Sequence, residues 1–424
     1  MKIVHIAPPW LAIPPQNYGG TEAVLYNLIE EQVAQGHDVT LCAPADAQTS
    51  AKVVPLLSHS LIGAGIPWQA HLKAYYYLQK SVKYIQKYTF DIVHTHLSSA
   101  SDMYLFPLMA DIEIPHIMTL HSRFPFDRAG PWTGEADKLY MEWALTVPMV
   151  AISEQARAEV PYALNFIGVV HHGLPLEKFT LLDAQPEGYF AWLGRMMPEK
   201  GAHLAIEAAH LADVPLVLAG NVDPHMPESV DYFERLIKPQ LDGERVRYIG
   251  PVNMPQKVAL LSHARGFLNP ITWEEPFGMV MIEAMASGCP VIAFARGAAP
   301  EIVVHGQSGF LVHDVDQMVR YIQRIDELDR KIVRAHAERK FSVQAMTEKY
   351  TALYKKVIAA KYRVVTRNMS IPLQTAGSPF SLPAIEAAET RYPTAPAATS
   401  GVEAEPLTND QWVGFDPDTY TRSG

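Results

Sequence analysis

Short β-rich segments alternate with longer amphipathic segments through the first 172 residues of the chain. The short segments have the apolar, β-branched composition of buried strands, and the longer ones have the apolar spacing of helices. This alternation predicts a parallel sheet with helices on both faces. The strand-like segments are KIVHIAP, HDVTLCAP, DIVHTH, HIMTLHS and MVAIS.

The same alternation starts again after residue 187, with YFAWLGR, VPLVLAG, RVRYIG, GFLNP, PVIAF and GFLV as strand-like segments. A chain of 424 residues is longer than one core usually supports, so two doubly wound α/β domains are expected. Ligands of such sheets bind at the carboxyl ends of the strands, so two facing domains would form a central cleft. Helices are predicted between these strands at 201–212, 228–241, 254–264 and 278–288.

The pattern also predicts the domain boundaries. We expect a Rossmann-like domain over 1–172, a linker over 173–187 and a second Rossmann-like domain over 188–341. A last charged helix is expected over 342–363. The tail, 370–424, has seven prolines, many Ala, Thr, Ser and Glu residues and no sustained periodicity, so it is predicted to be disordered.

Composition narrows the class of protein. The chain is 48% hydrophobic and 19% charged, which is typical of a soluble globular protein, and its net charge of −10 argues against nucleic acid as a partner. Cys42 and Cys289 each lie in an apolar stretch, which favours two buried thiols in a reducing cytosol. The chain has neither a signal-like apolar start nor a run of 18 apolar residues, so we expect a cytoplasmic protein, at most peripheral to a membrane.

The segment WEEPFGMVMIEAMASGCPVIA places Glu275 before a helix and Glu283 inside it, among apolar residues. A buried carboxylate without a partner is costly, so Glu283 needs one. Pro276 suits the first helical position, and the next four residues would offer backbone N–H groups to an anion at the positive end of the helix dipole. Those four residues are Phe277, Gly278, Met279 and Val280.

Two interpretations of these acids stay open on this segment alone. In the first, Glu275 and Glu283 accept hydrogen bonds from hydroxyl groups on either side of a bound anion. A nucleotide sugar has that arrangement, since its diphosphate lies between a hexose and a ribose. In the second, Glu275 is a solvated loop acid and Glu283 pairs with a buried arginine.

Two more loops follow strand-like segments. WLGRMMPEKG places Arg195 and Lys200 between a strand and a helix, where two cations suit a diphosphate leaving group, although surface cations are also common in loops. NYGGTEAV places Gly19 and Gly20 where the backbone can approach a ligand, and Thr21 where it can cap the next helix. This loop lacks a full G-x-G-x-x-G, which disfavours a nicotinamide site.

Together these motifs resemble glycosyltransferase family 4, the retaining nucleotide-sugar enzymes of the GT-B fold. The C-terminal half carries "GR…EKG", E-x7-E within EEPFGMVMIEAMASGCPVIA, and APEIVVHGQSGFLV; the N-terminal half carries YGGTE, DIVHTH and TLHS. The resemblance covers about residues 1–362 and excludes the tail. It implies two Rossmann-like domains facing a cleft, with the donor in the second and the acceptor against the first. It also implies that the last helix packs back toward the N-terminal domain.

The resemblance further implies four catalytic residues. Arg195 and Lys200 would hold the diphosphate of the donor, and Glu275 would bind hydroxyl groups of its sugar. His121, in TLHS, would lie near the anomeric carbon, although a single histidine is more often structural without the family match.

A larger set is implied to bind the donor. Glu283 would hold the ribose, Gly20 would approach the diphosphate from the opposite domain, and Glu301 matches a family acid near the site. The residues after Pro276 would lend backbone groups to the sugar and phosphate. The set is Gly19, Gly20, Phe277, Gly278, Met279, Val280, Glu283 and Glu301.

The implied reaction moves a hexose from a donor of the UDP-glucose or GDP-mannose type to a hydroxyl acceptor. The acceptor would be a glycan, a lipid or a small molecule. No cofactor is expected besides the donor substrate. No metal is assigned either, because His94 and His96 lie two apart on a strand without a Cys or acid cluster. A nucleotide-sugar epimerase, a sugar phosphorylase and a non-catalytic sugar-nucleotide sensor stay open as alternatives.

The helix-like segment HLKAYYYLQKSVKYIQKYTF carries four lysines within an arc of about 80° on a helical wheel. A solvated helix face accounts for this pattern. The alternative is a surface for anionic lipids or an anionic acceptor, so weak peripheral membrane contact is a further expectation. The lysines are Lys73, Lys80, Lys83 and Lys87.

Overall fold

Two parallel sheets organise the chain, as the alternating pattern predicts. The first sheet has the strand order β3-β2-β1-β4-β5-β6-β7. Ile3 in its centre is paired with Val39 on one side and with Ile92 on the other. The strands are Lys2–Ile6 (β1), Asp38–Ala43 (β2), Lys52–Pro55 (β3), Ile92–Leu97 (β4), His116–Leu120 (β5), Met149–Ala151 (β6) and Phe166–Val169 (β7).

The second sheet has six strands in the order β10-β9-β8-β11-β12-β13. Its strands β8 and β11 are neighbours, so the loops at their carboxyl ends lie side by side. The strands are Phe190–Leu193 (β8), Leu216–Ala219 (β9), Val246–Tyr248 (β10), Gly266–Asn269 (β11), Val291–Phe294 (β12) and Gly309–Val312 (β13).

These sheets belong to a computed structural model, which leaves the predicted tail and the loop RFPFDRAGPWTGEAD outside the described residues. Side chains are described up to residue 361. The described residues are 1–16, 19–122, 142–160, 163–182, 185–224 and 226–369.

Helices cover both faces of each sheet, and none in the described part of the chain is long and apolar enough to cross a bilayer. The α-helices are Gly20–Ala34 (α1), His71–Ile85 (α2), Leu105–Met109 (α3), Glu154–Ala158 (α4), Ala202–Ala212 (α5), Pro227–Tyr232 (α6), Met254–His263 (α7), Met279–Ala286 (α8), Ala299–Ile302 (α9), Val315–Ile322 (α10), Arg330–Phe341 (α11) and Val343–Met369 (α12).

The long last helix, α12, begins directly after α11 and lies against the first sheet. Its buried residues Val343, Met346, Tyr350 and Tyr354 join the cluster that contains Ile3. Burying these side chains removes apolar surface from water, which is the main force that holds α12 on the sheet.

The structure corrects some local predictions. The helix predicted at 228–241 is α-helical only over α6 and continues as a π turn over Phe233–Ile237, just before Pro239, which cannot donate a backbone hydrogen bond. The patterns missed the short edge strands β3 and β7, since four residues, one of them Pro55 or Gly168, give too little alternation.

Candidate active site

Lys200 and Glu275 form an ion pair at the carboxyl edge of the second sheet. Lys200 lies in the loop after β8, in the short 3₁₀ helix Pro198–Lys200, and Glu275 lies in the loop after β11. Trp273 Nε1 donates to Glu275 Oε2 at 3.1 Å, and Lys200 Nζ lies 4.8 Å from the centre of the Trp273 ring. The side chains of the pair are only 15% and 18% exposed, so each charge depends on the other for compensation.

The helix α8 begins just after this pair, and its first turn points N–H groups into the same edge. Gly278 is its N-cap, with φ of 93°, a left-handed conformation that L side chains rarely adopt. Pro276 therefore does not occupy the first helical position, and that prediction is wrong because the chain turns at Gly278 before the helix starts. Of the residues predicted to offer N–H groups, Met279 and Val280 are in the first turn, whereas Phe277 precedes it.

Glu283 lies one turn into α8 and is 8% exposed. Lys257 of α7 donates to Glu283 Oε1 at 2.5 Å. The buried carboxylate therefore has a cation as its partner, but the cation is a lysine on a neighbouring helix. Two carboxylate–lysine pairs thus flank the first turn of α8, one before it and one after it.

Arg195 follows β8 in the same loop as Lys200, but its side chain is exposed. The structure therefore brings Lys200 against Glu275 and leaves Arg195 at the surface of the loop.

His121 follows β5 at the carboxyl edge of the first sheet and is 9% exposed. Its Nε2 lies 2.9 Å from His96 Nδ1, and its ring stacks on His172 with the ring centres 5.2 Å apart. His172 in turn lies 4.9 Å from the ring of Phe277. His121 is thereby connected, through His172, to the turn that precedes α8. Burial lowers the pKa of His121 to about 3, so the ring is neutral at physiological pH.

Gly19 and Gly20 begin α1, and the structure gives them different reasons to be glycine. A Cβ on Gly19 would lie 2.8 Å from Pro15 Cβ, whereas a Cβ on Gly20 would meet open space. Gly19 is the N-cap of α1, so Thr21 lies inside the helix and the prediction that it caps α1 is wrong. Glu22, one residue further, is 3% exposed, and burial raises its pKa to about 7.

Glu301 connects the two halves of the cleft. Its carboxylate accepts hydrogen bonds from the backbone N–H groups of Glu154 and Gln155, at 2.9 and 2.7 Å, and from His171 Nε2 at 3.0 Å. Glu154 and Gln155 open α4, so the carboxylate sits at the positive end of that helix. Burial on its own would raise the pKa of Glu301, but the bonds from His171 and the two backbone groups outweigh it and the pKa is lowered.

Ser153 makes a second connection between the halves, which the sequence motifs did not indicate. Its Oγ donates to the carbonyl oxygen of Pro276 at 2.7 Å and accepts from the N–H of Ala156 at 2.9 Å. The turn before α8 is therefore attached to the strand end of the opposite sheet.

The two sheets and the cleft edge that they share define a two-domain α/β protein of the GT-B class. The family model for glycosyl transferases group 1 matches residues 176–340, and the model for glycosyltransferase family 4 matches residues 18–178. The chain belongs to glycosyltransferase family 4, and it is a glycosyltransferase.

The chain is also similar to individual glycosyltransferases and to a solved structure. The chain is 25% identical to phosphatidyl-myo-inositol mannosyltransferase of Mycolicibacterium smegmatis, over 89% of this chain and 99% of the relative. It is 34% identical to D-inositol 3-phosphate glycosyltransferase of Mycobacterium marinum over 45% of each chain. The solved structure of Anabaena HepE in complex with UDP and glucose shares the fold, with a TM-score of 0.63, 18% identity and coverage of 84% of this chain and 99% of that one.

Proposed function

We propose that this glycosyltransferase moves a hexose from a nucleoside-diphosphate sugar to a hydroxyl acceptor, with retention of the anomeric configuration and without a metal. The observation that carries the proposal is the placement of Lys200–Glu275 and Lys257–Glu283 on either side of the first turn of α8. A diphosphate at that turn would have its hexose beside the first pair and its ribose beside the second. The crystal structure of the HepE neighbour in complex with UDP and glucose supports a donor of this class.

The ion pairs give the donor a way to bind without leaving a buried charge uncompensated. In the structure, Lys200 compensates Glu275 and Lys257 compensates Glu283. When the diphosphate arrives, Lys200 exchanges its carboxylate partner for phosphate oxygens, and Glu275 becomes free to accept hydrogen bonds from sugar hydroxyls. Lys200 and the exposed Arg195 would then neutralise the charge that develops on the leaving diphosphate.

The proposed chemistry is a front-face substitution. The acceptor oxygen attacks the anomeric carbon from the side that the diphosphate leaves, and the departing diphosphate takes the acceptor proton. The protein supplies orientation and electrostatic stabilisation. His121 would contact the sugar from the first domain, since its ring reaches the turn before α8 through His172.

Transfer can be followed by incubating the protein with nucleotide sugars and candidate acceptors, with and without EDTA, and reading the anomeric coupling of the product by proton NMR. The proposal predicts release of the nucleoside diphosphate, an α-linked product from an α-configured donor, and rates that EDTA does not change. Inversion, or loss of activity in EDTA, would contradict it. Sugar phosphate formed from inorganic phosphate would indicate a phosphorylase, an isomerised nucleotide sugar an epimerase, and binding without turnover a sensor.

We also propose that the first domain makes weak peripheral contact with anionic membranes. Lys73, Lys80, Lys83 and Lys87 are all exposed on or just after α2. A largely apolar surface pocket of about 390 Å³ opens beside them, and Leu72 on its rim is 79% exposed. A cationic face next to exposed apolar side chains is the combination that binds an anionic bilayer surface.

Flotation with phosphatidylcholine vesicles, with and without phosphatidylglycerol, tests this contact. We expect binding only to the anionic vesicles, and its loss when the four lysines are changed to Glu. Reversing four exposed cations of the second half, Arg235, Lys238, Arg245 and Lys331, is the matched control. If flotation is unchanged in the four-lysine variant, the proposed membrane contact is wrong and the lysines form a solvated helix face.

A further inference from the structure

Five buried histidines lie in a continuous cluster beside the cleft: His5, His94, His96, His121 and His172. The ring centres of His5 and His96 are 5.4 Å apart, and those of His96 and His121 are 5.1 Å apart. His121 and His172 are the members at the cleft, and His172 lies against Phe277 in the turn before α8. The other end of the cluster, at His5, lies under α1 and α12, away from the predicted site.

Hydrogen bonds occupy the ring nitrogens of the three innermost members. His5, His94 and His96 bring ring nitrogens within 4.8 Å of one another, a grouping that could in principle hold a metal ion. However, His94 Nδ1 lies 2.8 Å from Tyr354 Oη and its Nε2 2.7 Å from Thr119 Oγ1. The nitrogens of His5 and His96 are bonded as well, so a metal would have to displace a completed hydrogen-bond network.

Gln32 determines the direction of the hydrogen bonds at the inner end. Its Oε1 lies 2.8 Å from His5 Nε2, while its Nε2 donates to Tyr354 Oη at 3.1 Å. A carbonyl oxygen only accepts, so His5 Nε2 carries the proton of that ring. Burial lowers the pKa of His5 to about 4, although the Gln32 bond opposes this, so the ring is neutral and its Nδ1 is bare.

The same direction passes along the row. Because His5 Nδ1 is bare, it accepts from His96 Nε2 at 3.1 Å. Burial also keeps His96 neutral by lowering its pKa, so His96 Nδ1 is bare and accepts from His121 Nε2 at 2.9 Å. His121 has therefore used its only proton, and its Nδ1 is a bare acceptor. This Nδ1 is shut off from solvent and has no hydrogen-bond partner within the described ranges.

The branch through Tyr354 agrees with this direction. Tyr354 accepts from Gln32 and can donate to His94 Nδ1, and His94 Nε2 can donate to Thr119 Oγ1. Reversing the amide of Gln32 would reverse every one of these bonds and turn His121 Nδ1 into a donor. The network thus has two self-consistent states, and the orientation of one amide selects between them.

We propose that Gln32 is a positioning residue that fixes the tautomer of His121, so that His121 Nδ1 accepts a hydrogen bond from a substrate hydroxyl. The identity of that hydroxyl rests on the proposed function, whereas the tautomer does not. A buried acceptor without a partner is unfavourable, and a hydroxyl group that donates to it removes that penalty on binding.

Nitrogen-15 NMR of the histidine-labelled full chain tests the tautomer directly. The resonances of His121 are assigned by their loss in His121→Gln. We expect the Nδ1 shift of an unprotonated ring nitrogen and the Nε2 shift of a protonated one. A protonated Nδ1 in the wild-type protein would overturn the proposal without any variant.

Two substitutions test the role of Gln32. Gln32→Leu removes the acceptor, so the proton on His121 should redistribute toward Nδ1 and kcat/KM should fall about tenfold. Gln32→Glu retains an oxygen that accepts from His5 Nε2, although it cannot donate to Tyr354 Oη, so the wild-type tautomer of His121 and part of the activity should be retained. A wild-type tautomer in Gln32→Leu would overturn the proposal, and circular dichroism identifies a variant that has not folded. If the tautomers behave as expected but the wild-type protein transfers no sugar, the proposed function fails and the tautomer assignment stands.

Discussion

Lys200 and Glu275 bond to each other although 75 residues separate them in the chain. Each follows a different strand of the second sheet, and those strands, β8 and β11, are hydrogen-bonded neighbours. The sheet topology therefore assembles a charge pair that no local pattern contains. The pair lies where the proposed diphosphate and hexose meet, so it has both a structural and a functional consequence.

Removing one member of this pair should reduce stability and activity together, because the remaining charge loses its partner. We expect Lys200→Met or Glu275→Gln to lower the free energy of unfolding by about 1 to 2 kcal/mol and kcat/KM by about a hundredfold or more. The double variant should recover most of the stability but none of the activity. Thermal unfolding and initial rates measure the two effects separately.

The surface pair of Lys238 and Glu234 is a matched control for that experiment. Its side chains are 59% and 50% exposed, so Lys238→Met should change neither quantity appreciably. If the double variant at Lys200 and Glu275 were active, the pair would be structural only, and the proposed handling of the diphosphate would be wrong.

Lys257 is expected to matter for nucleotide binding although the motifs did not single it out. Lys257→Met leaves the carboxylate of Glu283 buried without its cation, which should destabilise the start of α8. We predict a loss of about tenfold in affinity for the nucleoside diphosphate, measured by calorimetry. Lys257→Arg, which keeps the charge, should lose less, and equal losses in both variants would contradict the role of the charge.

The pKa of Glu301 gives a pH dependence with a definite sign. Because the pKa is lowered in the folded protein, the stability that Glu301 contributes is present above its ordinary pKa and lost as the pH falls through the folded value. Glu301→Gln should therefore lower the melting temperature at pH 7 by some degrees, and the difference should shrink at pH 4. A difference that stays constant with pH would mean that the charge of Glu301 is not what joins the two halves.

The stability that Glu22 contributes should depend on pH in the opposite direction to that of Glu301. Burial raises its pKa to about 7, and the charge of Asp102 adds to this although a backbone hydrogen bond opposes it. The folded protein holds the proton more tightly than the unfolded chain, so stability is lost as the pH rises from about 4.5 to about 7. Glu22→Gln should be more stable than wild type by up to about 3 kcal/mol at pH 8 and nearly equal at pH 4.5. If the difference in stability between Glu22→Gln and the wild type does not widen as the pH rises, the raised pKa of Glu22 is wrong.

The sequence predicted the two sheets because their strands are buried on both faces and read as short apolar segments. It could also place Glu283 in a buried helix and require a partner for it. It could not identify Lys257, which comes 26 residues earlier, on a different helix, and carries no local signal. The sequence also misplaced two helix starts, because Gly19 and Gly278 take cap positions that Thr21 and Pro276 were predicted to define.

The histidine network shows the same limit. The spacing of His94 and His96 puts them on one face of a strand, which the sequence does show. Tyr354, which bonds His94, lies on the last helix, and Gln32, which bonds His5, lies on the first. The bond between Gln32 and Tyr354 spans 322 positions. Only the folded chain shows that the row ends at His121.

The proposed donor site is tested by calorimetric titration of UDP, GDP and ADP, and then of their sugars, into wild type, Glu283→Gln and Glu275→Gln. We predict that one base binds, that Glu283→Gln weakens the bare nucleotide about tenfold or more, and that Glu275→Gln weakens only the nucleotide sugar. That result would place the ribose beside Glu283 and the hexose beside Glu275. The proposed donor site at the start of α8 would be contradicted if no nucleotide binds. It would also be contradicted if the two variants have the same affinities for the bare nucleotide and for the nucleotide sugar.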